Sequence, residues 1–143
     1  MTPICCVIVS KKNIIKNFFE SIIKCAKFGK LKNMIWLFNN NLVSKCDLVN
    51  EWTFAYAAEY GDLNILKWLF KHNFKSDHHT FFYAAINGNL ENMEWLLENN
   101  FEHDSKTFAA ASKNGNLDNM KWLLENNFEH DDYTFNLAIL NGN

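Results

Sequence analysis

With 143 residues, 48% of them hydrophobic and 21% charged, the chain is long enough to bury one sizeable core and too apolar to remain unfolded. Its formal net charge is -2 and all 14 basic side chains are lysines, so neither a long-range field nor a bidentate guanidinium fork draws it to nucleic acid. Nucleic acid and anionic membrane surfaces are therefore not expected as partners.

The first apolar run, Ile4 to Val9, has six residues, short of a secretory leader's apolar region and far short of the roughly 20 residues of a membrane span. It is expected to cover one end of the fold, in an intracellular protein. Cys5, Cys6, Cys25 and Cys46 all lie in the first third without a C-x-x-C spacing. They are expected to be reduced, buried fillers rather than metal ligands or a redox pair. Residues 1–20 read as an N-terminal extension and cap, where Ile14, Ile15, Phe18 and Phe19 extend backward the apolar pattern of Ile22 and Ile23.

From there the chain repeats. Gly61, Gly88, Gly115 and Gly142 are each 27 residues apart, and Gly29 precedes Gly61 by 32. Thr53-Phe54, Thr80-Phe81, Thr107-Phe108 and Thr134-Phe135 keep the same step, as do Trp68, Trp95 and Trp122, with Trp36 at the matching place after Gly29. A period between about 20 and 50 residues marks a solenoid, in which each unit buries its faces only against its neighbours. The units read as 21–52, 53–79, 80–106 and 107–133, with a partial fifth over 134–143.

Each unit predicts two short helices. In the third, Thr80 is the expected N-cap of helix A, and Phe81, Ala84 and Ala85 share one face at helical spacing. Asn87-Gly88 ends that helix, because glycine takes the left-handed cap conformation without a Cβ penalty. Asn89 then caps helix B, which runs from Leu90 to about Asn99. On a helical projection Glu91, Glu94 and Glu98 form the solvent face, and Leu90, Met93, Trp95, Leu96 and Leu97 fill a wide buried arc. Asn92 falls inside that arc, as do Asn33 and Asn119, whereas Ile65 takes the same place in the second unit. A buried amide left unpaired costs about 1 to 3 kcal/mol, so Asn92 is expected to bond to the backbone of a neighbouring loop and fix register.

These residues resemble a known family. Ala84-Ala85-x-x-Gly88-Asn89-Leu90-Glu91-x-Met93-x-Trp95-Leu96-Leu97-Glu98-Asn99 is similar to the ankyrin helix pair, with Phe81 at the leucine of the T-P-L-H motif and Asn100-Phe101 at the closing Gly-Ala. The resemblance covers Ser21 to Asn143 and implies an all-α, ankyrin-like solenoid of stacked helix-turn-helix repeats. It implies a non-enzymatic scaffold for a protein partner. The 27-residue step is shorter than the family's unit of about 33, and the shortfall lies between helix B and the next helix A. Short turns are expected there instead of projecting hairpin fingers. The histidine slot of the motif holds Ala55, Phe82, Ala109 and Asn136. Short-unit arrays of this kind are similar to those of giant DNA viruses.

No catalytic, cofactor or metal site is expected. Neither a G-x-S-x-G elbow nor a glycine-rich phosphate loop is present, and every glycine is used by a turn. His78-His79, His103-Asp104 and His130-Asp131 recur in the linkers, but equivalent atoms one helix layer apart, about 8 to 10 Å, cannot share an ion whose ligands lie about 2 Å away. They read as turn-forming polar residues. The four recurring tryptophans, Trp36, Trp68, Trp95 and Trp122, read as core, for which Trp95→Ala costs about 3 to 5 kcal/mol.

A binding surface is sought where units differ on a fixed frame. In helix A the varying positions are Ala55, Phe82, Ala109 and Asn136, then Tyr56, Tyr83, Ala110 and Leu137, then Glu59, Ile86, Lys113 and Leu140. In an ankyrin array helix A lines the concave face, so these form the expected protein-binding strip. After Asn143 no second helix covers Phe135, Ala138 and Ile139. The chain is thus expected to be a fragment of a longer array or to be covered there by another molecule. The alternative reading is a structural array that self-associates through its C-terminal end.

Overall fold

The computed structural model describes residues 21–40, 51–60, 62–132, 134 and 136. Among them the chain forms no strand and the helices α1 over 21–27, α2 over Leu31–Asn39, α3 over Trp52–Glu59, α4 over Leu63–Lys71, α5 over His78–Asn87, α6 over Leu90–Glu98, α7 over Lys106–Asn114 and α8 over Leu117–Glu125, with Asp132, Thr134 and Asn136 helical beyond them. Helices α1 to α8 pair in order, the odd-numbered helix of each pair being helix A and the even-numbered one helix B. The expectations for residues 1–20, for Cys46 and for the C-terminal end beyond Asn136 lie outside the described residues.

Helices of eight to ten residues are too short to persist alone in water, so packing must hold them. Phe54, Phe81 and Phe108 are fully buried at matching places in three successive A helices, beside Ala57, Ala58, Ala84, Ala85 and Ala111. The small side chains let α3 pack closely on α5, and α5 on α7. Adjacent B helices are bridged by larger groups, such as Phe70 against Trp95 at 5.6 Å and Phe38 against Trp68 at 5.2 Å.

The phrase ENNFEHD, Glu98 to Asp104, shows how a short linker replaces a finger. Asn99 donates its side-chain amide to the Trp95 carbonyl at 2.8 Å, closing helix B. Asn100 adopts φ 57°, the left-handed position usually given to glycine, and Asn73 and Asn127 do the same at 56° and 59°. The chain reversal sends the Phe101 amide back to the Leu96 carbonyl at 3.1 Å and buries the ring. Asp104 then accepts the Lys106 amide at 3.0 Å and starts the next helix.

Aspartate, not threonine, opens α5 and leads into α7, whereas α3 begins after Glu51 without a side-chain cap. The expected N-cap Thr80 lies inside α5; Asp77 caps it, accepting the His79 amide at 3.0 Å on Oδ1 and meeting His79 Nδ1 at 2.7 Å through Oδ2. Both carboxylate oxygens are thus used, and the buried Thr80 hydroxyl has no bond, as is also true of Thr53 and Thr107. In the last described turn Asp131 is available, and it accepts from both the amide and the hydroxyl of Thr134. Those bonds hold the Asp131 carboxyl below its ordinary range. A carboxyl depressed in the folded state contributes stability that is complete above its unfolded pKa, about 3.9, and disappears as pH falls through the lower folded value. Asp131→Asn is therefore expected to lower the melting temperature at pH 7, with the difference from wild type shrinking below about pH 4; a pH-independent difference contradicts the linkage.

Helix B follows the sequence closely. Asn89 caps α6 by accepting the Asn92 amide at 3.0 Å, Asn116 caps α8 likewise, and Gly88 takes φ 77°. Glu91, Glu94 and Glu98 are exposed, and Met93 and Leu96 are fully buried. Asn92 is buried as expected, yet its side-chain oxygen and nitrogen have no partner, so the expected register bond is absent there. A bond of that kind comes from the cap instead: Asn116 Nδ2 donates to the Gly88 carbonyl of the preceding pair at 3.4 Å. Asn33, in the first pair, is exposed.

The tryptophans are less uniform than the sequence suggests. Trp68, Trp95 and Trp122 are partly buried against the core, whereas Trp36 is 59% exposed. Phe38 covers Trp68 and Phe70 covers Trp95 from the preceding pair, and no aromatic ring among the described residues does this for Trp36. Only part of the indole area leaves water, so the cost of Trp95→Ala is revised to about 1.5 to 3 kcal/mol. Urea unfolding followed by circular dichroism measures it, and an unshifted midpoint would contradict any core role.

Candidate protein-binding face

The A helices present partly exposed side chains in a common register. This register brings Trp52, His79 and Lys106 to equivalent places, then Lys24, Tyr56 and Tyr83, then Lys27, Glu59, Ile86 and Lys113. The middle of this set is aromatic. Trp52 lies 6.3 Å from Tyr56, 5.1 Å from His79 and 6.1 Å from Tyr83 between ring centroids, and Phe82 meets Tyr83 edge-on at 5.5 Å. These separations are those of mutually supporting rings. The cluster spans two helix pairs.

Charge is arranged around the rings. The Lys27 ammonium sits 5.1 Å from the Tyr60 ring centre and 6.0 Å from that of Tyr56, within cation–π range. Tyr60, by hydrogen bond and by charge, holds that ammonium above its ordinary pKa, with Glu59 and Tyr56 adding to the effect. Burial, and then the negative charge of Glu59, pushes the Tyr83 hydroxyl up, so it stays a neutral donor at physiological pH.

Of the strip residues expected from sequence, Tyr56, Glu59, Phe82, Tyr83, Ile86 and Ala109 are half-buried, and Lys113 and Asn136 are exposed. Ala55 is a correction: it is fully buried, because a single methyl group does not emerge where the larger Phe82 ring does in part. Ala110 is buried as well. Leu137 and Leu140 lie outside the described residues. The structure adds Trp52, His79 and Lys106, which are 27 residues apart. The period was available in the sequence, but starting helix A at its threonine left these three residues in the linker.

Other chemistry is accounted for by local structure. Asp77, His78 and His79 place potential ligand atoms within 4.8 Å of one another, and both Asp77 oxygens are already engaged at the start of α5. His72 closes α4 by meeting the Trp68 carbonyl at 2.8 Å while stacking on that indole. Cys25 is a buried free thiol, its pKa raised by burial, which makes it a poor nucleophile. No helix among the described residues is long and apolar enough to cross a membrane.

Tandem helix pairs joined by tight turns, with side chains displayed along one edge, define a helical-repeat protein. A family model for ankyrin repeats, in three copies, matches residues 22–107. The chain belongs to the ankyrin-repeat family. No curated protein matches it in sequence. Ankyrin repeats generally mediate protein–protein interaction, and their family members are typically non-enzymatic scaffolds.

Proposed function

We propose that the protein is a non-enzymatic scaffold that holds a protein partner on the A-helix face, with Tyr56, Glu59, Phe82, Tyr83, Ile86, Ala109, Lys113 and Asn136 of the expected strip joined by Trp52. The observation that carries this reading is the aromatic cluster of Trp52, Tyr56 and Tyr83, partly exposed across two packed helices. Tyr and Trp supply large contact area at low entropic cost and are enriched at binding hot spots. The units are taken as 21–52, 53–79, 80–106 and 107–133. The arginine-free composition and short unit favour a viral source, with a protein of the host cell as partner in its reducing interior.

The test is selection of binders from a displayed library of random twelve-residue peptides, followed by measurement of each binder against two double variants. Tyr56→Ser with Tyr83→Ser is expected to weaken binding at least tenfold. Glu94→Ser with Glu98→Ser, on the outer face, is expected to leave it unchanged. Circular dichroism confirms that both variants remain folded. Binders indifferent to the tyrosine pair would remove the A-helix face from consideration, and concentration-dependent sedimentation would favour self-association instead.

A further inference from the structure

In the third and fourth pairs charge is sorted between the two faces, whereas the exposed side of α2 and α4 carries Lys32, Lys67 and Lys71. The exposed face of α6 carries Glu91, Glu94 and Glu98, and that of α8 carries Asp118 and Glu125 against Lys121. The A-helix face shows the opposite sign in a chain whose net charge is -2. Its rows contain Lys24 and Lys27 at one end, Lys106 and Lys113 at the other, and Glu59 as their single acidic residue. Glu59 is already close enough to Lys27 to raise its pKa. An approaching anionic segment is therefore repelled by the outer face of the third and fourth pairs and drawn to the A-helix face.

We infer that the partner presents an extended segment with acidic residues at both ends and apolar or aromatic residues between them; this rests on the binding face proposed above. The apolar centre covers Trp52, Tyr56, Phe82 and Tyr83, and the acidic ends meet the lysines of the first and fourth pairs. Three layers separate Lys27 from Lys113, which at about 8 to 10 Å per layer is roughly 24 to 30 Å. An extended strand rising about 3.3 Å per residue spans that with about eight or nine residues. The Tyr56 and Tyr83 hydroxyls supply donors along the way.

The same peptide selection tests this, read now by the charge of the enriched sequences. Acidic residues flanking an apolar centre are expected to be enriched. Synthetic versions of the leading peptides are expected to bind at least tenfold more weakly in high salt, at a Debye length of about 3 Å, than at physiological ionic strength. Lys24→Glu with Lys113→Glu is expected to reduce their binding by a similar factor, and peptides with lysine replacing each acidic residue are expected not to bind. Enriched peptides that are neutral or basic, yet still lost with the tyrosine double variant, would overturn the charge assignment and leave the binding face standing. Peptides independent of those tyrosines, or no enrichment, would overturn both.

Discussion

Phe81→Ala is expected to destabilise the protein by about 3 to 5 kcal/mol, the cost of truncating a fully buried aromatic residue and leaving a cavity. The position is more sensitive than its size alone implies. Helix α5 packs against both α3 and α7, and the Phe81 ring lies 5.2 Å from Phe128 and 5.6 Å from His103. Phe54 repeats the arrangement one layer earlier, 5.3 Å from Phe101. Each such ring therefore joins one helix pair to the closing turn of the next. In a solenoid, stability is approximately the sum of unit terms and nearest-neighbour terms, so losing this ring weakens coupling in the centre of the array. Urea unfolding is expected to show a lower midpoint and a broader transition as the two halves separate. A midpoint and slope identical to wild type would contradict the placement of Phe81 between layers.

The second large effect has the opposite sign. Asn92→Ile is expected to stabilise the fold by about 1 to 2 kcal/mol, because the amide is fully buried and neither its oxygen nor its nitrogen has a partner. Ile65 shows that the equivalent place accepts a branched aliphatic side chain with complete burial. Overpacking offsets part of the gain, since isoleucine is larger than asparagine. The backbone amide of residue 92 keeps its bond to the Asn89 cap, so the substitution does not disturb the start of α6. Asn119→Ile is expected to behave alike, its side-chain nitrogen being buried without a partner too. A raised denaturation midpoint for each variant checks the claim. A fall for Asn92→Ile would mean that the amide is satisfied by a bound water or that the slot is too tight.

The two asparagine-rich stretches of each unit show where sequence reasoning succeeds and where it stops. Asn89 is read correctly as a cap because capping depends on the short range of a side chain over its own backbone. The left-handed conformation of Asn100, at the place where the family resemblance puts a glycine, came only from the structure. Burial of Phe81, Ala84 and Ala85 and exposure of Glu91, Glu94 and Glu98 also follow from helical period alone. The N-cap of helix A did not follow, since Asp77 and Thr80 are both competent caps and only the path of the incoming turn selects between them. Nor did the partners of Asn92. Whether a buried amide finds a carbonyl depends on the distance to a neighbouring loop, which no single unit specifies.

What the sequence determined by itself was the periodic part: an all-α array, its helix pairs, the residues sealed between layers and the family to which it belongs. These rest on local spacing repeated in register, and each copy reinforces the others. Only the tertiary structure decided which side chains reach the A-helix face: Ala55 is buried, Trp36 is left exposed, and Trp52, His79 and Tyr83 come together from two helices. Exposure and contact across layers depend on how closely neighbouring helices approach, and that distance is set by the packing of side chains from different units against one another.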